Sequence, residues 1–470
     1  MFISRKKELS ELTSALSSWD RKTAVLIYGK RRTGKTTLIA EAAKSFEGTV
    51  INHLCVSSTY EGNLELMGRS VCRALSLPEI QFQSVFDLMD FLKTQDKKIL
   101  LIIDEYSYLK QTRKQYEVDS IMQRVIDHLP PNVKIILCGS YITMMKELLT
   151  ESDPLFGRFT LIQHIREFDY FDASCFCNDL SPSEKVAFYA VFGGSPFVLD
   201  HLDYHQSLRE NIIRLLLPET GLIRSHIENI MLKEIQKAYD TRILEVLGNG
   251  KKRYSEIAAA LRIRETGLLE KQLKNLLNME TIRKSEPINR TGDAQKRFYE
   301  ITDNLMRFYF SFIFGSAGSI MRIGAEQYYR MMIEDRLRQF ISRRLEGIAL
   351  QYFQRMSGKG IFQDAMDFGS YWYNDPVARK NGEFDCVIKR KNNLFDFYEC
   401  KYYDHPMTLG ECRKEEEQVL RQNGIAADEI GRIGFVCTGG FDFPDTEKRI
   451  GLEEGYVLIN GDVLYKMSVG

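Results

Sequence analysis

The chain has 470 residues, its 64 lysines and arginines are balanced by 64 aspartates and glutamates, and 44% of its residues are hydrophobic. At about 100–200 residues per domain, this length predicts roughly two to four domains, each with its own core. The balanced charge argues against a polybasic coat protein or an acidic tail, although a local nucleic-acid groove is compatible with it. Eleven prolines and 32 glycines are too few for a disordered or fibrous chain.

Cysteine spacing and hydropathy predict a soluble, cytoplasmic protein. The close pair Cys175 and Cys177 lacks the CxxC or spaced histidine neighbours of a zinc site, so we expect reduced thiols. The N-terminus becomes charged before an apolar stretch could build a signal peptide. The longest uncharged apolar stretch, Phe308 to Met321, is too short to span a bilayer and predicts a buried aromatic helix. We therefore expect no membrane association.

A phosphate-binding loop is predicted near the N-terminus. An apolar run typical of a strand covers residues 24–28, the sequence GKRRTGKT follows, and a helical pattern begins immediately afterwards. This is the GxxxxGK[ST] motif in the strand–loop–helix context that it requires. The backbone N–H groups would surround the phosphates of ATP, Lys35 would reach the β- and γ-phosphates, and the Thr36 hydroxyl would hold Mg²⁺. The predicted nucleotide-binding residues of this loop are Gly29, Lys30, Arg31, Arg32, Thr33, Gly34, Lys35, Thr36 and Thr37.

Carboxylates at the end of a second strand indicate ATP hydrolysis. A continuous apolar run ends in Asp104 and Glu105, as expected of a buried parallel strand. Asp104 would bind Mg²⁺ through water, and Glu105 would polarise the attacking water. A third run, 133–138, precedes Ser140, which is either a sensor of the γ-phosphate or a turn serine. Arg158 either neutralises phosphate charge, in its own chain or in a neighbouring subunit, or is purely structural.

These motifs, in this order, resemble the prokaryotic "archaeal ATPase" family of AAA+/STAND-like P-loop proteins. The resemblance implies an AAA-like α/β ATPase core over residues 1–170 and a small helical lid over 171–238. It extends over roughly residues 1–320 and rests on FISRKKEL at 2–9, GKRRTGKT at 29–36, Asp104-Glu105-Tyr106, Gly139-Ser140, Gly157-Arg158 and Gly193-Gly194-Ser195-Pro196.

The middle of the chain has the pattern of a helix-turn-helix with a wing. Three short helical patterns lie over 242–247, 254–261 and 265–277, and two strand-like runs, 281–284 and 297–301, flank a polar loop. The basic excess is modest, short of the stripe expected of a protein dedicated to reading DNA. Contact with DNA therefore stays open beside a role in domain packing or regulation. The expected boundaries are 239–310 for this winged-helix domain and 311–335 for a connecting helical segment.

An acidic hairpin is predicted in a C-terminal α/β domain over 336–470. A turn at Lys391-Asn392-Asn393 separates two strand patterns. This turn pairs Arg390 with Leu394. Because the numbers of paired residues in an antiparallel hairpin have a constant sum, it also pairs Asp385 with Glu399. Glu399 and Lys401 share one face of their strand. Two carboxylates on directly paired residues are close enough to hold one Mg²⁺ or Mn²⁺, and the bound ion generates hydroxide from water. Lys401 would orient the water or stabilise charge on the phosphate.

This hairpin resembles the PD-(D/E)xK nuclease superfamily. The resemblance rests on Asp385 and on the ExK motif of Glu399-Cys400-Lys401, although Glu383-Phe384 stands where the superfamily pattern has its proline. It implies that Asp385, Glu399 and Lys401 are catalytic. It also adds two helical residues, Glu346 as a third metal-binding acid and Gln418 as a supporting residue.

The sequence therefore predicts a multidomain α/β protein: a P-loop AAA-like ATPase with a helical lid, a winged helix and a restriction-endonuclease-like domain. Such a protein would bind and hydrolyse ATP with Mg²⁺ and act on DNA, in processing or defence, through a Mg²⁺- or Mn²⁺-dependent nuclease site. The alternative is a STAND-like ATP switch whose C-terminal domain only binds a protein or DNA partner. Arg158 acting in a neighbouring subunit would require a homo-oligomer, whereas the switch allows a monomer.

Overall fold

The computed structural model of the chain describes residues 2–112, 116–232, 240–263, 266–375, 377, 379–422, 425–444, 447 and 455–466. The chain divides into an N-terminal unit, Met1–Glu167 with Ser195–Phe197, and a C-terminal unit, Phe168–Gly194 with Val198–Gly470.

Five strands of the N-terminal unit form one parallel sheet, in the order β2-β3-β4-β1-β5. The three strands predicted from their continuous apolar runs are present as β1, β3 and β4. The bounds are Ala24–Tyr28 for β1, Thr49–Leu54 for β2, Ile99–Asp104 for β3, Val133–Gly139 for β4 and Leu161–His164 for β5.

Both faces of this sheet are buried, which explains the long apolar runs of its three inner strands; Lys134 in β4 is a buried exception. Side chains alternate between the two faces: Leu26 and Leu101 join one core, whereas Val25 and Leu100 join the other. The surrounding helices are Lys6–Ser17, Lys35–Ala43, Tyr60–Leu75, Val85–Lys93, Tyr106–Lys110, Glu117–Asp127 and Ile142–Glu147.

The C-terminal unit begins with helices and continues into the elements predicted over residues 241–300. A short helix, Pro196–Asp200, includes residues of both units. The three predicted helices and both predicted strands of the middle segment are present, and a short additional strand makes a three-stranded antiparallel sheet in the order β6-β8-β7. The helices are Tyr170–Ser174, Pro182–Phe192, Leu208–Leu215, Leu222–His226 (continued by a π-helical turn, Ile227–Met231), Arg242–Gly248, Tyr254–Leu261 and Thr266–Asn278, and the strands are β6 at Lys252–Arg253, β7 at Ile282–Ser285 and β8 at Phe298–Ile301.

The single buried helix predicted from Phe308 to Met321 is wrong in its extent. One helix, Asn304–Phe312, ends before Gly315, whose φ of 74° lies in the left-handed region, and a second helix, Ala317–Ile323, follows. Phe308 is fully buried, but Met321 is 78% exposed. Apolar composition predicted burial correctly only up to the break, because the break reorients the chain. None of the helices in the described part of the chain is long and apolar enough to cross a membrane.

A second five-stranded sheet, in the order β13-β12-β11-β10-β9, ends the C-terminal unit. The pairs β9–β10 and β10–β11 are antiparallel, whereas β11–β12 and β12–β13 are parallel. The strands are Ala365–Asp375, Lys380–Arg390, Phe395–Lys401, Ile430–Cys437 and Val457–Asn460 for β9 to β13, and the helices are Ala325–Tyr329, Asp335–Gly358 (preceded by a π-helical turn, Arg330–Glu334), Leu409–Leu420 and Gly461–Tyr465.

Candidate functional site

The loop after β1 turns into a helix at the carboxyl edge of the parallel sheet. Gly34 precedes the helix Lys35–Ala43 with a φ of 87°, and within the described part of the chain no side chain caps the helix N-terminus. A Cβ atom at Gly29 would lie 2.0 Å from the carbonyl oxygen of Ile165, so the tight packing of the loop against the residue that follows β5 requires glycine there. Uncapped N–H groups at a helix start favour an anion.

Lys35 is buried at the centre of this loop. Its Nζ donates to the carbonyl oxygens of Gly29 at 2.9 Å and Lys30 at 2.8 Å. Burial lowers the pKa of Lys35 against the opposing charges of Glu105 and Asp104. A buried ammonium group whose protein partners are neutral carbonyls is well placed to bind an anion.

The ends of β3 and β4 bring the predicted acidic residues to the same loop. The Thr36 hydroxyl donates to Oδ2 of Asp104 at 3.1 Å. The Ser140 hydroxyl lies 2.6 and 2.8 Å from the two carboxylate oxygens of Glu105, and the Ser140 N–H also donates to this carboxylate, at 3.3 Å. Glu105 has a φ of 53°, a left-handed backbone that side-chain-bearing residues adopt rarely. Lys35, Thr36, Asp104, Glu105 and Ser140 therefore converge.

Other loop residues have structural partners as well. Thr33 is buried and its hydroxyl donates to the carbonyl of Lys30 at 2.9 Å, whereas Thr36 and Thr37 are exposed. Arg31 donates to the Tyr108 hydroxyl at 2.9 Å, and the Arg32 guanidinium lies 3.6 Å from the centroid of the Phe197 ring.

Arg5 is a loop-supporting residue that sequence reasoning included only within a longer motif. Its guanidinium is buried and donates to the carbonyl oxygens of Thr33 at 2.8 Å and Arg166 at 2.6 Å. It therefore ties the phosphate-binding loop to the segment after β5.

Arg158 makes its contacts elsewhere in the N-terminal unit. Its guanidinium pairs with Asp127 at 3.2 Å and donates to the Phe156 carbonyl at 3.0 Å. Its action on phosphate, in its own chain or in a neighbouring subunit, stays a prediction.

In the C-terminal unit, the hairpin β10–β11 has the predicted register. Val387 pairs with Phe397 and Lys389 with Phe395, and the N–H of Arg390 donates to the Leu394 carbonyl. The residue numbers in each of these pairs add up to the same total as 385 and 399. The predicted pair Asp385–Glu399 itself lies beyond the segment in which β10 and β11 are paired. An irregularity between Phe384 and Val387 in the pairing of β10 with β9 separates Asp385 from the regular ladder.

Each predicted acid of the hairpin binds a lysine. Lys401 Nζ lies 2.9 Å from Glu399 and 2.9 Å from Glu415, a residue of the helix Leu409–Leu420. Burial alone would lower the pKa of Lys401, but the two carboxylates outweigh it and hold this pKa above its usual value.

Asp385 binds a lysine from the middle segment. Lys251 Nζ lies 3.0 Å from Asp385 and 2.8 Å from Glu383. Burial opposes the charge of Lys251, yet the charges of Asp385 and Glu383 raise its pKa. The carboxylate predicted to hold a cation therefore holds an ammonium group in this structure.

Glu346 belongs to the same electrostatic neighbourhood. It lies on the helix Asp335–Gly358, and burial, reinforced by the charge of Asp385, raises its pKa to about 8. Burial also raises the pKa of Glu399, with Lys401 opposing. Bringing these three acids together accumulates negative charge that a cation would relieve.

The acids do not form a complete metal cage. Among the described residues, no group of three or more histidines, cysteines, aspartates or glutamates could hold a metal ion. Gln418, the predicted supporting residue, is exposed, and Glu415 is the residue of that helix that reaches Lys401.

Two residues of this cluster, Glu383 and Lys251, were missed at the sequence level for different reasons, whereas Lys401 was predicted. Glu383 precedes Asp385 by two positions in one strand, so the two-residue period could have placed both on the same face. Lys251 is 134 residues from Asp385, and no local pattern relates them.

A strand, a glycine-bounded loop, a helix start and an acidic strand end define the N-terminal unit as a P-loop ATPase domain. Residues 2–202 match the model of a family described as an ATPase domain predominantly from Archaea. The match agrees with the family that the order of the motifs indicated. Residues 309–418 match a second model, of archaeal and bacterial proteins of unknown function.

Comparisons that cover about two thirds of the chain find more distant similarity. The chain is 29% identical over 326 residues to an uncharacterized protein of Methanocaldococcus jannaschii, a match that covers 68% of this chain and 70% of the relative. Its fold resembles that of a Walker-type ATPase of Pyrococcus abyssi. The two are 19% identical, the match covers 66% of this chain and 96% of the other, and the TM-score is 0.48. It also resembles the fold of the ORC2 protein of Aeropyrum pernix. The two are 14% identical, the match covers 68% of this chain and 94% of the other, and the TM-score is 0.46.

Proposed function

We propose that the chain hydrolyses ATP at the N-terminal loop and that this reaction controls a metal-dependent phosphodiesterase site, acting on DNA, at the C-terminal hairpin. The observation that carries the first half is the convergence of the loop, Lys35, the Thr36–Asp104 pair and the Glu105–Ser140 pair. What supports the second half is the hairpin register at Val387–Phe397, whose continuation would pair Asp385 with Glu399.

The donor set of the N-terminal loop fits ATP and Mg²⁺. The uncapped helix start and Lys35 would bind the β- and γ-phosphates, with Gly29 to Thr37 enclosing them. Thr36 and Asp104, already 3.1 Å apart, would hold Mg²⁺, which supplies charge neutralisation of the phosphates when bound. Glu105 would orient the attacking water and accept its proton, and Ser140 would hold the Glu105 carboxylate in place.

The hairpin offers carboxylate oxygens, which are the donors that Mg²⁺ and Mn²⁺ prefer. Asp385 and Glu399 would hold the cation with Glu346 nearby, and a cation bound there supplies hydroxide and neutralises phosphate charge. Mg²⁺ commonly uses one or two protein carboxylates, with water and substrate completing its coordination, so a site with few protein ligands is compatible with this chemistry. Lys401 would lie beside the phosphate.

The contacts of the predicted winged-helix segment favour a role in domain packing over direct contact with DNA. Asn289, in its polar loop, exchanges two hydrogen bonds with the backbone of Trp372 in β9, at 2.8 and 2.9 Å. Lys296 lies 3.8 Å from the centroid of the Trp372 ring. We therefore propose that this segment supports the hairpin, and that DNA reaches the hairpin itself.

The test is cleavage of supercoiled, linear and branched DNA with Mg²⁺ or Mn²⁺, with and without ATP. We expect the wild type to cleave when hydrolysable ATP is present, and Lys401→Ala or Asp385→Asn to cleave under no condition. Lys391→Ala, which removes an exposed lysine from the hairpin turn, is the matched control and should cleave normally. Lys35→Ala, which disables the ATP site, reports whether ATP controls the cleavage.

A second function is favoured by one specific observation, the pairing of both hairpin acids with lysines. In that case the C-terminal domain binds a protein or DNA partner without cleaving it, and ATP switches the binding. Absence of cleavage under every condition, with ATP turnover intact, would select this alternative.

A further inference from the structure

Lys251 contacts the hairpin as a cation would. Its single ammonium group lies within 3.0 Å of oxygens from two carboxylates, Glu383 Oε2 and Asp385 Oδ1. The two acids alternate in β10, so their side chains extend on one face of the strand. One compact positive charge shared by two carboxylates matches the electrostatic role of a divalent ion at such a site.

The contact joins two segments that are distant in the chain. Lys251 immediately precedes β6, in the predicted winged-helix domain, whereas Glu383 and Asp385 belong to the candidate metal centre. Glu383 is only 11% exposed, Asp385 is 41% exposed and Lys251 is 34% exposed. Solvent therefore reaches the lysine and one of its acids.

The local charge changes with the position of this lysine. With Lys251 in place, its charge offsets those of Glu383 and Asp385. Without it, the two carboxylates lose the ammonium group that lies within 3.0 Å of both. Buried or half-buried carboxylates without a positive partner are costly, and a hard divalent cation is the chemical species that best replaces the lost ammonium group.

We propose that Lys251 competes with a divalent cation for the Glu383–Asp385 carboxylates, so that Glu383 is an additional cation ligand and the hairpin loads metal when Lys251 withdraws. This inference rests on the proposed function, because it assumes that the hairpin binds a cation. It assigns a regulatory role to the segment before β6: a movement of that segment opens or closes the metal centre.

The test is Mn²⁺ binding to the full-length chain without nucleotide, followed by electron paramagnetic resonance of the free ion. Lys251→Met should bind Mn²⁺ at least about tenfold more tightly than the wild type, whereas Lys251→Arg, which keeps the positive charge, should bind as weakly as the wild type. Lys252→Met removes a charge at the neighbouring position and is the matched control for a general electrostatic effect. Adding Asp385→Asn or Glu383→Gln to Lys251→Met should abolish the gain.

A second measurement checks the same competition through folding. Mn²⁺ should raise the thermal midpoint of Lys251→Met more than that of the wild type, because a ligand stabilises the state that binds it. Equal affinity and equal stabilisation in wild type and Lys251→Met would overturn the competition and leave the proposed metal site intact. A gain equal in Lys252→Met would overturn it too. No hairpin-dependent Mn²⁺ binding in any variant would overturn both proposals.

Discussion

The two candidate sites use the same residue types in opposite arrangements. In the N-terminal loop, Lys35 binds backbone carbonyls, and the acids Asp104 and Glu105 bind hydroxyl groups. In the C-terminal hairpin, Lys401 and Lys251 bind the acids themselves. The first arrangement leaves full charges for an anion and a cation to neutralise, whereas the second has already neutralised them. A site of the second kind must rearrange before it binds metal.

The largest effect should come from the lysine of the loop. Lys35→Ala should reduce ATP turnover at least about a hundredfold, because it removes the charge proposed to bind the β- and γ-phosphates. Lys44→Ala, at a lysine that is 71% exposed at the end of the same helix, should turn over ATP normally. Steady-state phosphate release measures both, and unchanged turnover in Lys35→Ala would contradict the assignment of the loop.

A smaller loss should follow from Ser140→Ala. A hydrogen bond to a charged group contributes about 1.5–3 kcal/mol, which corresponds to roughly ten- to hundredfold in rate. If Ser140 positions Glu105, the loss appears in kcat while the affinity for ATP changes little. Ser140→Thr, which keeps a hydroxyl, should restore part of the rate. A loss confined to ATP affinity would instead indicate that Ser140 contacts the nucleotide.

How far the sequence predicted these sites depends on how local their contacts are. The loop and its flanking strand are contiguous, so motif and apolar pattern identified them together. The hairpin register followed from a three-residue turn, because antiparallel pairing propagates from the turn by arithmetic. The Ser140–Glu105 bond required the adjacency of β3 and β4, and the Lys251 contact required tertiary packing across 134 residues. Neither leaves a local signal in the sequence.

The N-terminal unit should also lose stability in acid through His53, which has no counterpart in the hairpin. This side chain is 2% exposed and its Nε2 has no hydrogen-bond partner among the described residues. Burial lowers its pKa from 6.5 to about 4. The unfolded chain therefore binds the proton more readily, so the contribution to stability is complete above pH 6.5 and is lost as the pH falls toward 4.

The measurement is denaturant unfolding at several pH values. The free energy of unfolding of wild type should fall by up to about 3 kcal/mol more than that of His53→Leu between pH 7 and 4. His128→Leu removes an exposed histidine and should behave as wild type. Parallel pH profiles for wild type and His53→Leu would be inconsistent with a buried neutral imidazole.

The smallest structural effect is expected at Arg158. Its partly exposed pair with Asp127 should contribute no more than about 1 kcal/mol to stability, so Arg158→Ala and Asp127→Asn should destabilise the chain similarly. If Arg158 also acts on phosphate, Arg158→Ala alone should reduce ATP turnover. Equal turnover in both variants would restrict Arg158 to the ion pair.

In the N-terminal loop the charges stay available for ligands, whereas in the C-terminal hairpin lysines already neutralise the acids. This contrast is tested most directly by counting bound Mn²⁺ in the presence of a non-hydrolysable ATP analogue. At a free Mn²⁺ concentration that just saturates the loop, we expect about one ion per chain in wild type and about two in Lys251→Met. Two ions in wild type would contradict the account, because the hairpin would then load metal with Lys251 in place.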